Sequence, residues 1–205
     1  SFSVKSVPEP NDLAYTSIAL TPHTDNPYRK PIPCIQLLHC LENEVKGGFS
    51  TLVDGFSVSE YLRKNHKDLF KILTKTKVRF RFVDKTIILE NWGELIELDE
   101  NNRVKQVRYS TRLDYVPALE KNELEVFYEA RKLISELYAS SKFEIKFRLE
   151  KGDLLMMDNH RLLHGRTSYD VSEGKRYLKG CYIDHDSTEG KLRYLERKFG
   201  LKWKK

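Results

Sequence analysis

Ala19-Leu20-Thr21-Pro22-His23-Thr24-Asp25 is a short run of extended character that closes on a His-x-Asp tripeptide. On a strand, residues i and i+2 share a face, whereas around a helix they stand about 200° apart. An extended reading therefore points His23 and Asp25 to one side. The tripeptide recurs at His66-Lys67-Asp68, but there a helix begins between lysines. The two side chains diverge, and Asp68 sits near the positive end of the helix dipole. The first copy is the one that can bring two donors to one point.

Outward from this run, the chain is a succession of short β-type segments: Cys34–Leu41, Phe49–Val53, Val78–Val83, Thr86–Leu89, Leu95–Leu98, Val104–Tyr109, Phe143–Leu149, Leu154–Asp158 and Arg176–Ile183. Turn signals such as Gly47-Gly48, Asp99-Glu100-Asn101-Asn102 and Lys151-Gly152-Asp153 separate them. Helices are expected in two places. Ser57-x-x-Glu60 reads as a capping box opening Val58–Lys64, followed by a helix near Asp68–Thr74. Asn122-x-x-Glu125 opens a longer helix whose stripe of Leu124, Phe127, Ala130, Ile134 and Leu137 follows the 3.6-residue period and runs out near Ser140. Many short strands with few helices predict a mainly β fold, a sandwich or jelly-roll barrel with helices packed outside.

With 205 residues, 40% of them hydrophobic and 11% aromatic, the chain fits one domain with a substantial core. No apolar run approaches the ~20 residues of a membrane span, and Ser1 to Tyr15 lacks the pattern of a signal peptide. The opening Ser-Phe-Ser, without an initiator Met, suggests a chain that begins partway through a longer protein. Cys34, Cys40 and Cys181 are odd in number and lack C-x-x-C spacing, as expected of reduced thiols in the cytoplasm. The net charge of +6 is diffuse apart from Lys202-Trp203-Lys204-Lys205. That distribution argues for a solvated surface and acidic small molecules rather than nucleic acid.

A third donor has to come from afar. His164, in Leu162-Leu163-His164-Gly165-Arg166, follows the strand Leu154–Asp158 and precedes a glycine, a position from which a barrel strand can deliver it. Two His and one carboxylate on one face suit iron(II) and leave three coordination positions open. His160 and His164 stand at a spacing that would bind zinc on a helix, but Asp158-Asn159 and Gly165 argue against a helix there. Arg176 shares one strand face with Leu178, Gly180 and Tyr182. A guanidinium pointing inward needs an anion, and a dicarboxylate held by its bidentate fork would supply one.

Pro22-His23-Thr24-Asp25-Asn26-Pro27-Tyr28-Arg29, Ile35-Gln36-Leu37-Leu38-His39-Cys40, Gly47-Gly48, Val53-Asp54-Gly55-Phe56 and Asp158-Asn159-x-Arg161-Leu162-Leu163-His164-Gly165-Arg166 together resemble the γ-butyrobetaine hydroxylase family of the taurine dioxygenase superfamily. The likeness runs from about Asn11 to Arg193. It implies a double-stranded β-helix with Fe(II) at His23, Asp25 and His164. It further implies 2-oxoglutarate on the metal with its far carboxylate held by Arg176 and Ser50, and O₂ as oxidant. Family substrates carry a trimethylammonium group caged by aromatic faces. Tyr15 and Tyr182 match two cage positions, and Asp12 and Asn26 fall at the same end.

This sequence departs from the family in three respects. Asn11-Asp12-Leu13-Ala14-Tyr15 carries Asp where relatives carry Asn, so a substrate carboxylate is repelled there and a cation favoured. Ser110-Thr111-Arg112 replaces a second Asn-rich stretch. The zinc-binding domain and first catalytic strands of the family have no counterpart, so residues 1–205 are expected to be a catalytic oxygenase domain incomplete on its N-terminal side.

The resulting expectation is a hydroxylase of an unactivated C–H in a small cationic metabolite, with neither nucleic acid nor membrane as partner and a homodimer as the candidate assembly. The competing reading is a metal-binding jelly-roll paralogue without turnover, a sensor or binding protein. A complete His-Asp-His set with Arg176 favours the enzyme. A zinc hydrolase lacks a free general base at a useful spacing.

Overall fold

The computed structural model describes residues 1–6 and 15–201. Thirteen strands are present among them: β1 Phe2–Val4, β2 Leu20–His23, β3 Ile35–Asn43, β4 Ser50–Asp54, β5 Lys77–Val83, β6 Ile88–Glu94, β7 Ile96–Leu98, β8 Val104–Val107, β9 Asp114–Tyr115, β10 Glu144–Phe147, β11 Leu154–Asp158, β12 Leu162–Arg166 and β13 Arg176–Ile183. Four α-helices join them: α1 Gly55–Asn65, α2 Lys67–Lys75, α3 Lys121–Tyr138 and α4 His185–Phe199. Two four-stranded sheets, ordered β1-β13-β3-β11 and β10-β4-β12-β2, form the jelly roll, with every pairing antiparallel. A three-stranded sheet β6-β5-β9 and a β7-β8 ribbon complete it. The mainly β, jelly-roll expectation holds.

Alternation along the strands decides which residues reach the interior. Val53 of β4 and Leu163 of β12 face outward into the main core, where they meet Val58 and Leu62 of α1, Leu73 of α2, and Phe127, Ala130 and Ile134 of α3. Their strand neighbours must then face the other way, and those neighbours include His164. Between the two sheets lies a second, smaller cluster of Cys40, Leu149 and Leu178 with Leu38 and Phe147 around it. The β13/β3 register pairs Tyr182 with Gln36, Gly180 with Leu38 and Leu178 with Cys40 before a bulge at Tyr177/Leu178 sets Arg176 against Asn43. One inward row thus carries an amide and a phenol at one end and a guanidinium at the other.

Several local expectations need correction. The cap of α1 is Asp54, whose carboxylate accepts from the Phe56 N–H, while the Ser57 hydroxyl donates back to Asp54. Asp54 wins because its carboxylate also gathers Arg161. The helix foreseen from Asn122 starts at Lys121, and its cap residue Glu120 makes no side-chain bond. The strand read at Thr86–Leu89 lies at Ile88–Glu94, because Asp84 and Ile87 close a turn. Helix α4 is a further element that the sequence expectations do not include; none of its residues is buried. No helix among the described residues is long and apolar enough to cross a membrane.

Candidate active site

Strand β12 runs between β4 and β2, and its register sets His164 opposite His23. The two imidazoles lie 4.5 Å apart between ring centres. Gly165 permits the approach, since a Cβ there would meet the Leu20 carbonyl at 2.5 Å and Thr51 Oγ1 at 2.7 Å. Next to His23, Thr24 is buried and exchanges backbone and hydroxyl bonds with Tyr109. Asp25 follows. His23, Asp25 and His164 come together as a three-donor group, with Asp25 Oδ1 3.5 Å from His23 Nε2 and Oδ2 3.7 Å from His164 Nε2. Ligands at ~2.1 Å from an ion and at right angles would stand roughly 3 Å apart, so a small inward shift would let all three hold one metal.

Two of the three protonation states, those of Asp25 and His164, suit that role directly. His23 Nδ1 lies 2.8 Å from the Thr21 carbonyl. A carbonyl only accepts, so Nδ1 carries a proton, and in the neutral ring Nε2 keeps the lone pair. Burial pulls the His23 pKa down, but the neighbouring Asp25 carboxylate outweighs it and the net shift is upward, so an ion at Nε2 would have to displace a proton there. Burial would raise Asp25, yet His164, His23 and the Tyr182 hydroxyl hold it well below the usual carboxylate range. His164 is pushed down to about 4 by burial, which keeps the imidazole neutral and able to ligate. Its Nδ1 is buried and bonded to nothing among the described residues.

Two residues that sequence reasoning did not single out hold Asp25 in place. Asn159, fully buried, accepts from the Asp25 N–H at 2.7 Å and donates to the Asp25 carbonyl at 3.0 Å and the Pro33 carbonyl at 2.8 Å. Gln36 Nε2 donates to Asp25 Oδ2 at 2.7 Å, and the Tyr182 hydroxyl donates to the same oxygen at 2.6 Å. Oδ2 is thereby engaged and Oδ1 is left for an ion. The available signal was a lone amide, Gln36, on the inward row of a strand otherwise built of Leu38 and Cys40.

Two residues along β12 from His164, about 7 Å by strand rise, Arg166 stands opposite Ser50. Arg166 and Arg176 both approach the Tyr169 ring, at 5.1 and 5.4 Å. Arg166 donates to the Thr16 and Ile18 carbonyls. Arg176 is 7% exposed. It donates to the Gly48 carbonyl at 3.3 Å, and its buried Nε finds no partner among the described residues. Burial, then the Arg166 charge, lowers its pKa to about 10. A guanidinium held this way is built for an anion.

A cleft of about 710 Å³ opens over His23 and Asp25, and Tyr15, Tyr182 and Asn26 line it. Asn26 takes a left-handed φ of 52°, and its amide receives the Tyr28 hydroxyl and donates to that of Tyr182. Arg81 and Arg112 line the same cleft. Asp12 lies outside the described residues. Because β12 is a strand, His160 and His164 do not form a helical zinc pair.

The model of the taurine catabolism dioxygenase TauD, TfdA family matches residues 1–182. The chain belongs to this family. Among TauD/TfdA-like relatives, the γ-butyrobetaine dioxygenase of Pseudomonas sp. (strain AK-1) is 34% identical over 196 residues, 96% of this chain and 51% of that protein. The trimethyllysine dioxygenase of Meyerozyma guilliermondii is 34% identical over 190 residues, 90% and 47%. The chain spans about half the length of the curated relatives it matches. Among solved structures, asparagine oxygenase in complex with Fe(II), 2S,3S-3-hydroxyasparagine and succinate superposes with a TM-score of 0.69 at 18% identity, over 88% of this chain and 55% of that one. At that identity the likeness speaks for the fold, and it agrees with the TauD/TfdA jelly roll.

Proposed function

We propose that residues 1–205 form the catalytic domain of an Fe(II)- and 2-oxoglutarate-dependent hydroxylase acting on a small cationic metabolite of the γ-butyrobetaine class. The observation that carries this reading is a His-Asp-His group with the buried Arg166 two strand residues from His164 and, against the same Tyr169 ring, the buried Arg176, whose Nε has no partner among the described residues. His23, Asp25 and His164 would hold the iron, which with 2-oxoglutarate and O₂ supplies the oxidising chemistry that yields succinate, CO₂ and a hydroxylated substrate. Arg176 would take the far carboxylate of the cosubstrate, with Ser50, which stands opposite Arg166, assisting. Tyr15 and Tyr182 would offer ring faces to a quaternary ammonium, with Asn26 fixing the Tyr182 hydroxyl and Asp12 adding negative charge. Arg81 and Arg112 suit a carboxylate on the same molecule, so a zwitterion finds both partners in one cleft. A binding protein without turnover would have no use for a buried anion anchor beside three metal donors.

The reading extends to setting. Free thiols at Cys34, Cys40 and Cys181 suit the reducing cytoplasm. The exposed row of Val83, Ile88, Trp92 and Tyr115 would be covered in a homodimer. Neither nucleic acid nor membrane is assigned as a partner. The test is succinate release by the purified chain with Fe(II) and 2-oxoglutarate, comparing γ-butyrobetaine, trimethyllysine and an isostere whose charged nitrogen is carbon. Stimulation by a trimethylammonium compound alone supports the proposal. Equal stimulation by the isostere removes the cage, and absence of any 2-oxoglutarate turnover removes the hydroxylase.

A further inference from the structure

We propose a second divalent-metal site, separate from the first, formed by Asp158, His160 and His185 and selecting an ion of the zinc(II) or cobalt(II) class. Its donors come from three parts of the chain. Asp158 ends β11, His160 lies in the turn to β12, and His185 is the first residue of α4. Each offers one ligand atom, and the three atoms lie within 4.8 Å of one another. Asp158 and Ile183 both register with Ile35, from opposite sides of β3. The strand ends that deliver Asp158 and His185 are thus fixed by the sheet rather than by loops.

The side chains are prepared for an ion. His160 Nε2 lies 3.2 Å from the Ile32 carbonyl, so this nitrogen carries the proton and Nδ1 keeps its lone pair. The Asp158 carboxylate accepts from the His160 N–H at 2.9 Å, which turns it toward the two rings. The imidazoles of His160 and His185 stand 4.9 Å apart between ring centres. His185 Nε2 and Asp158 Oδ1 are 4.0 Å apart, too far for a hydrogen bond and a small inward shift from the roughly 3.4 Å that separates two ligands of a tetrahedral ion at ~2.1 Å. His185 makes no ring hydrogen bond among the described residues. Two imidazoles and one carboxylate match the nitrogen and oxygen ligands of zinc, with a water completing the tetrahedron. The site lies at the surface, where Asp158 and His185 side chains are 39% and 42% exposed, so an ion can enter without the cleft.

Between Asp158 and His160 stands Asn159, whose amide brackets Asp25. An ion here would pin the turn that positions the first donor group.

The test is cobalt(II) uptake counted by elemental analysis after equilibrium dialysis of the whole chain. Two equivalents are expected for the parent protein. His185→Ala should lose one and keep the other, whereas His23→Ala should lose the opposite one. One equivalent in the parent, abolished by His23→Ala, overturns the proposal, and so do two equivalents that both survive His185→Ala. If His185→Ala loses its thermal transition, Asp158→Asn, which keeps the side-chain shape, decides by the same count. The count needs no turnover, so it stands or falls apart from the hydroxylase reading.

Discussion

The side-chain amide of Asn159 brackets the backbone of Asp25, receiving its N–H at 2.7 Å and reaching its carbonyl at 3.0 Å. A buried amide in this position acts as a template for the turn that follows β2. Asn159→Ala would leave the Asp25 N–H buried without its partner, a cost of about 1–3 kcal/mol. Affinity for the first metal should fall roughly 10–100-fold, as expected when a group that orients a ligating residue, here through its backbone, is removed. Anaerobic iron(II) titration and a thermal melt measure the two effects. Unchanged iron affinity in a destabilised variant would make Asn159 a purely structural residue.

Arg176 is expected to trade stability for binding. Its guanidinium is buried and its Nε has no partner among the described residues, so Arg176→Met should melt at the same temperature as the parent or higher in the absence of ligand. In the parent, 2-oxoglutarate at one hundred times its dissociation constant should add about 2.7 kcal/mol. In Arg176→Met that increment should vanish while iron binding persists. An equal increment in both proteins would place the anion elsewhere.

Gly165→Ala drives a methyl into the Leu20 carbonyl and Thr51 Oγ1. Overpacking of this kind costs about 1–3 kcal/mol, and here it would also part β12 from β2. We expect a lower melting temperature together with weaker metal binding, because His164 and His23 face each other across that pair. A variant that melts lower yet binds metal as before would show that the two strands yield elsewhere.

Asp54 caps α1 and takes both Nε and Nη2 of Arg161. Its pKa is lowered: burial works against ionisation, and the Arg161 and Ser57 hydrogen bonds prevail. A depressed carboxylate contributes stability above its unfolded value of about 3.9, and that contribution fades as pH falls through the lower folded value. Asp54→Asn should therefore cost about 1 kcal/mol or less near neutrality, with the difference from the parent shrinking below about pH 4. Denaturant melts across pH 2.5–7 give the profile, and a gap that widens on acidification would contradict it.

Much of this was legible in the residues because period and spacing carry it. Alternation marked most strands of the jelly roll, and the i, i+2 rule separated His23-Thr24-Asp25 from His66-Lys67-Asp68, whose segment indeed joins two helices. What escaped depends on contacts between distant strands. Gln36 and Asn159 belong to segments that carry the resemblance, but their role at Asp25 depends on the β13/β3 and β11/β3 registers, which no local pattern records. His185 likewise pairs with His160 only because the same two registers bring the ends of two strands together. The cap of α1 was misplaced because Ser57-x-x-Glu60 matches a local pattern, whereas Asp54 is selected by Arg161, more than a hundred residues away.

The setting of Arg176 also bears on turnover under the proposed function. Cosubstrate and coproduct, 2-oxoglutarate and succinate, end in the same far carboxylate, and a guanidinium fork that grips only that end holds both alike. Preference for fresh cosubstrate over spent succinate must then arise at the opposite end, where the keto acid can chelate and succinate cannot. Succinate should accordingly behave as a competitive inhibitor whose grip weakens in Arg176→Met by the same factor as that of 2-oxoglutarate.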